Sequence, residues 1–139
     1  MTPDFSMFEG LSPVSSETLA KFDEVQALVE NDVTQSCLAS DDPKSSMGDE
    51  AESMIKNGLG FVSRMLRTSM SFAAGDILED ELDWGKTRLP VYGVSGEMVM
   101  RNFERYEHAL KERLPTEAFA EVEPYLRGMM AMQRRFLGE

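Results

Sequence analysis

The chain has one cysteine, Cys37, and one histidine, His108, among its 139 residues. A lone thiol cannot close an internal disulfide. A lone imidazole cannot supply the paired Glu-x-x-His motifs of a di-metal carboxylate bundle. Basic side chains are also scarce: 14 Lys and Arg stand against 25 Asp and Glu, a formal net charge of −11. Nucleic-acid affinity comes largely from Lys and Arg neutralising phosphates, so no nucleic-acid partner is expected. No window approaches the roughly 20 uninterrupted apolar residues of a membrane span, and the first residues lack the basic segment and apolar run of a secretory signal. The chain therefore reads as soluble and cytoplasmic, with no membrane partner. It contains no phosphate-cradling glycine loop, no Gly-x-Ser-x-Gly elbow and no Cys-x-x-Cys pair. No catalytic residue, no metal site and no cofactor are called for on these grounds. Period-two alternation between turn dipeptides is missing as well, which argues against a sheet.

What the sequence does have is helical periodicity. Its length suggests one domain, and a chain of this size buries roughly two thirds of its unfolded surface, enough for a core without metals or disulfides. Acidic side chains concentrate early: residues 1–99 hold 18 against 7 basic, whereas residues 100–139 hold 7 of each. They occur as short clusters, Asp41-Asp42, Asp49-Glu50 with Glu52, and Asp76 to Asp83, rather than as one tail.

Residues 1–14 show no sustained period and read as an extended N-terminal arm whose Phe5, Phe8 and Leu11 dock on the rest; residues 15–139 form the helical domain. Ser15 and Ser16 are good N-caps, and Leu19, Phe22, Val25, Val29 and Val33 step by three and four to about Leu38. Asp41-Asp42-Pro43 ends that helix. The second predicted helix carries Ala51, Ile55, Gly58, Val62, Met65, Ser69 and Phe72 on one stripe, and Met54, Leu59, Phe61 and Leu66 widen the stripe almost around the cylinder, as in a central, well-buried helix. Gly75 stops the chain, and Asp76 with Glu79 fits a capping box for a third helix over 77–88. Ser95 caps a fourth, with Val99, Phe103, Tyr106, Leu110 and Leu114 inward. After Pro115 a fifth carries Phe119, Val122, Leu126, Met129, Gln133 and Phe136, with Pro124 either kinking it or separating a short piece at 116–123. The fold class is all-α: an up-and-down bundle of four long helices plus a short one.

His108 sits about 200 degrees from the stripe of its helix, beside Arg101, Glu104, Arg105 and Lys111, and reads as a wet-face residue. The acidic run from Asp76 to Asp83 suits a helix start and a polar outer face better than a cation. Cys37 has no basic residue near it in sequence and reads as a buried or end-of-helix thiol. Methionines are more suggestive, because 11 are present. Met129, Met130 and Met132 span about 300 degrees of one helix and are expected to exceed what one core can cover. With Trp84, off its stripe, and Phe136, they are the expected partner-binding surface.

The run Gly75-Asp76, Glu81-Leu82-Asp83-Trp84, Arg88-Leu89-Pro90, Gly93-Val94 and Glu97, then Phe103, Tyr106, Ala109-Leu110 and Glu112 to Pro115, resembles a helical module that accompanies cobalamin-binding domains in bacterial sensory and regulatory proteins. The Asp-x-His-x-x-Gly motif that supplies the lower cobalt ligand in that family is absent here. In light-sensing members a cap Trp is soon followed by Glu-His, whereas Glu107-His108 lies far beyond Trp84. The resemblance implies a stand-alone helical sensory or regulatory domain without its cofactor. The expected function is non-catalytic signalling or regulation through a homodimer or a protein partner. The alternative is a sensor of a small molecule, cobalamin-like or another apolar cofactor, with a pocket between the second, third and fourth helices at Gly58, Gly85 and Phe103.

Overall fold

The computed structural model describes Phe8 and residues 10–138. Among these residues every regular element is helical: α1 (Ser16–Ser40), α2 (Lys44–Met47), α3 (Ala51–Phe72), α4 (Gly75–Arg88), a 3₁₀ turn (Leu89–Tyr92), α5 (Gly96–Arg113) and α6 (Thr116–Phe136). Capping sets two of the boundaries. Ser15 Oγ accepts from the Thr18 N–H at 3.3 Å to open α1, and Ser95 Oγ accepts from the Met98 N–H at 3.1 Å to open α5. Both hydroxyls satisfy amide donors that a helix start leaves unpaired.

Helix α1 lies against α5 and α3, α5 against α6, α3 against α4, and α4 against α6. The buried apolar side chains join in one cluster, with Phe22, Val29 and Val33 of α1 meeting Leu66 and Met70 of α3, Leu78 of α4, Leu110 of α5 and Val122 of α6. Ion pairs tie α1 to its neighbours at several heights. Asp23 accepts from Arg67 at 2.8 Å, Asp32 accepts from Arg113 at 2.7 Å, and Asp41 accepts from Arg105 at 2.9 Å and Arg101 at 3.2 Å. Asp41 is the most enclosed carboxylate of these, with its side chain 6% exposed. The Arg105 guanidinium, seconded by Arg101, holds its carboxyl below the usual range.

Several local features depart from the periodicity reading. Helix α2 is one turn long, too short to leave a period, although Pro43 before it suits a helix start. The capping box at Asp76 and Glu79 does not form: α4 begins at Gly75 with Ala74 as its cap and no side-chain cap bond. The chain reverses earlier than expected, through Ala73 in the left-handed region at φ 50°, so Asp76 already lies inside the first turn. Helix α6 runs unbroken through Pro124. Pro124 and Ala120, four residues back, are both exposed, so water can take the carbonyl that proline leaves without a donor. Helix α3 is not buried all round. Leu59, Ser63, Leu66 and Met70 face the core, whereas Phe61 is 42% and Phe72 75% exposed.

Of the N-terminal residues expected to dock, Phe8 is buried and packs on Gly75, where an added Cβ would stand 2.6 Å from Phe8 Cβ, and Leu11 lies against the core. Phe5 lies outside the described residues. Downstream, Ser12 O accepts from Tyr125 Oη at 2.8 Å and the Val14 N–H donates to Met70 O at 2.9 Å. Glu121 accepts from the Ser15 N–H and Oγ, and from Thr18 Oγ1. These bonds fasten the segment before α1 to the end of α3 and to α6.

Candidate functional site, an open apolar cleft

Between α3, α4, α5 and α6 the surface opens into a cleft of about 620 Å³. Helix α3 contributes Gly58, Phe61, Val62 and Met65, and α4 contributes Leu82, Trp84, Gly85 and Lys86. Leu89, Pro90 and Tyr92 of the 3₁₀ turn form one end, with Met98, Asn102 and Phe103 of α5 and Gln133 and Phe136 of α6 on the far wall. Gly58, Gly85 and Phe103, expected from sequence to line a pocket between three helices, do share this cleft. The contribution of α6 and of the 3₁₀ turn was not legible, because no periodicity reports which helices meet across a gap.

The turn after α4 is fixed by Gly93. Its φ of 83° suits glycine, and a Cβ there would stand 2.1 Å from Ser46 O. That close approach presses the 3₁₀ turn onto α2 and holds Pro90 and Tyr92 at the cleft mouth. Gly58 presents the opposite case. It sits in the middle of α3, and an added Cβ would meet nothing within 4 Å. Glycine inside a helix costs about 0.5–1 kcal/mol relative to alanine, and here no neighbour demands it. It is exposed, on the lining of the cleft.

The walls are apolar, and their amides are committed to the protein. Asn102 Nδ2 donates to Cys37 Sγ at 3.7 Å while its Oδ1 accepts from Arg105 at 2.7 Å. Gln133 Nε2 donates to Gly96 O at 3.0 Å. Behind the cleft, Ser63 Oγ and Tyr106 Oη bond each other at 2.7 Å, and burial pushes the Tyr106 phenol well above its usual range. Three of the aromatic rings on its lining each have a cation over them. Arg88 lies 5.0 Å from the Trp84 ring centroid, Lys86 4.7 Å from that of Phe136 and Arg64 6.0 Å from that of Phe61. These distances suit cation–π attraction.

The expected partner surface divides in two. Trp84 is 54% exposed at the cleft rim, and Phe136 is partly buried on its wall. Met129, Met130 and Met132, by contrast, are buried at 1%, 5% and 8% exposure and belong to the core. The expectation that three directions of one helix cannot all be covered fails because α6 has neighbours on several sides, namely α5, α4, α1 and α3. His108 is exposed and pairs with Glu112 at 2.8 Å. Cys37 is fully buried, and burial pushes its thiol up, away from the reactive thiolate. Among the described residues no group of acidic, Cys or His side chains is arranged to hold a metal ion, and no helix is long and apolar enough to cross a membrane. Compared with protein-family models, curated proteins and solved structures, the chain matches none.

Proposed function

We propose that the protein is a non-catalytic binding module that holds an apolar small molecule in the cleft between α3, α4, α5 and α6. The observation that carries this reading is the cleft itself, an apolar cavity of about 620 Å³ with Gly58, an exposed mid-helix glycine that no packing contact demands, on its lining. Small-molecule sites are clefts of roughly 300–1,000 Å³ with mostly apolar walls, and this cleft falls inside that range. Ligand binding coupled to α4 and the 3₁₀ turn would suit a sensory or regulatory role.

Trp84 is the only tryptophan of the chain and stands at the rim, so its emission reports entry of a ligand. Titration with dodecanol, a neutral apolar chain, is expected to shift that emission to the blue and to saturate. Gly58→Leu fills the cleft from a position with room for a side chain, and it is expected to abolish the shift while melting no lower than the parent. Unchanged emission and an unchanged melting temperature in dodecanol would overturn the reading.

A second reading, docking of a protein partner or a second copy on the same face, is favoured by Val91 and Tyr92, which are 78% and 61% exposed beside the cleft mouth. Sedimentation across a concentration series separates it: self-association that Tyr92→Ser abolishes supports a dimer.

A further inference from the structure

Two charged side chains line the cleft among the described residues, Lys86 and Glu81, both on α4. Lys86 is already engaged. Its ammonium pairs at 2.8 Å with Asp83, an exposed residue off the lining, and lies 4.7 Å from the Phe136 ring centroid. Glu81 is half-buried and has no hydrogen bond or ion pair among the described residues. Gly85, one turn further along α4 and also on the lining, has no side chain to lie over that carboxylate. The other polar groups of the walls are turned to the protein: besides Asn102 and Gln133, Thr87 Oγ1 donates to Trp84 O at 3.2 Å. Trp84 and Tyr92 are 54% and 61% exposed, so water serves the indole N–H and the phenol. The one uncommitted charge on the lining is therefore negative.

The rest of the molecule biases the cleft in the same direction. A net charge of −11 draws cations and repels anions, and α4 itself carries Asp76, Glu79, Asp80, Glu81 and Asp83 against Lys86 and Arg88. A carboxylate can only accept hydrogen bonds, so a ligand that meets it must bring N–H or O–H donors, and a positive charge strengthens the contact. Resting on the ligand-cleft reading above, we infer that the cleft selects a lipophilic amine, an apolar body bearing one ammonium group, with the Glu81 carboxylate accepting from that ammonium.

Calorimetric titration of the full chain tests this with three probes: dodecylammonium below its micelle concentration, dodecanol and methylammonium. Dodecylammonium is expected to bind at least about tenfold more tightly than dodecanol, since charge-assisted hydrogen bonds are about twice as strong as neutral ones. The preference should shrink as salt is raised. Methylammonium, lacking the tail, should give no heat. In Glu81→Gln the affinity for dodecylammonium should fall to that for dodecanol in the same variant. Asp80→Asn removes the same charge from a neighbouring residue that is exposed and off the lining, and it should keep the preference. Equal binding of dodecanol and dodecylammonium to the parent at low salt overturns the amine inference while the cleft reading stands. Binding of neither overturns both. A preference retained in Glu81→Gln, or lost equally in Asp80→Asn, overturns the assignment to Glu81 and gives the effect to the general field of the acids.

Discussion

Glu79 is a carboxylate where the fold leaves little room for charge. It is 7% exposed just past the first turn of α4, and burial first, then the charges of Asp76 and Asp80, push its carboxyl above the usual range. A carboxyl whose folded-state pKa exceeds its unfolded value binds its proton more tightly in the native state. Its contribution to stability is therefore full below the ordinary carboxylate range and is lost as pH rises through the raised value. Glu79→Gln, which keeps the shape and removes the charge, should raise the urea midpoint at neutral pH, and the gain should vanish near about pH 4, where the parent carboxyl is protonated. A gain that persisted in acid would show that charge is not its cause. The sequence made Asp76 and Glu79 look like a capping pair; what it did not carry is that the helix starts earlier, which turns Glu79 inward. Cys37 shows the same limit. Its fate as a buried thiol was legible, but its neighbours Asn102 and Arg105 come from α5, far along the chain, and local spacing is silent about them.

At the scale of elements, boundaries set by capping and by proline were readable, and faces were readable only in part. The stripe from Ala51 to Phe72 located α3 correctly, yet its seam is rotated. Leu59, Ser63 and Leu66 form the buried centre, and Gly58 and Val62 turn toward the cleft. Periodicity gives the apolar arc of a helix and cannot say which part of that arc is covered by protein and which by something that enters later. The glycines make the distinction measurable. Gly58→Ala places a Cβ in open space within α3 and should raise stability by about 0.5–1 kcal/mol. Gly93→Ala places one against the Ser46 carbonyl at positive φ and should lower stability by about 1–3 kcal/mol. Urea denaturation of the two variants checks both signs. A loss of stability in Gly58→Ala would mean that the glycine serves packing, and the case for a cleft held open by it would fall.

Over the whole molecule, helix content was legible, and so was the excess of acid early in the chain. The partners of that acid were not. Arg127, in the charge-balanced part of the chain, pairs with Glu123 in its own helix. The cross-helix pairs come instead from Arg67, Arg101, Arg105 and Arg113 to acids of α1 and its end. The error about the methionines has the same origin. Judged one helix at a time, Met129, Met130 and Met132 point too widely for one core; judged in the assembled protein, α6 is enclosed on several sides and thioethers fill the irregular gaps between its neighbours. The two views predict opposite outcomes for one experiment. A surface role requires the double variant of Met130→Glu and Met132→Glu to remain folded and merely lose an association. Core placement requires it to bury two unpaired carboxyl groups where flexible apolar chains now pack, at a cost of at least about 2–5 kcal/mol. A small domain has only about 5–15 kcal/mol in total, so the variant should show a sharply lower urea midpoint or fail to fold. Met130→Leu, similar in volume, should stay within about 1.5 kcal/mol of the parent and shows that the loss belongs to the charge. A double variant with the parent's midpoint would return these methionines to the surface.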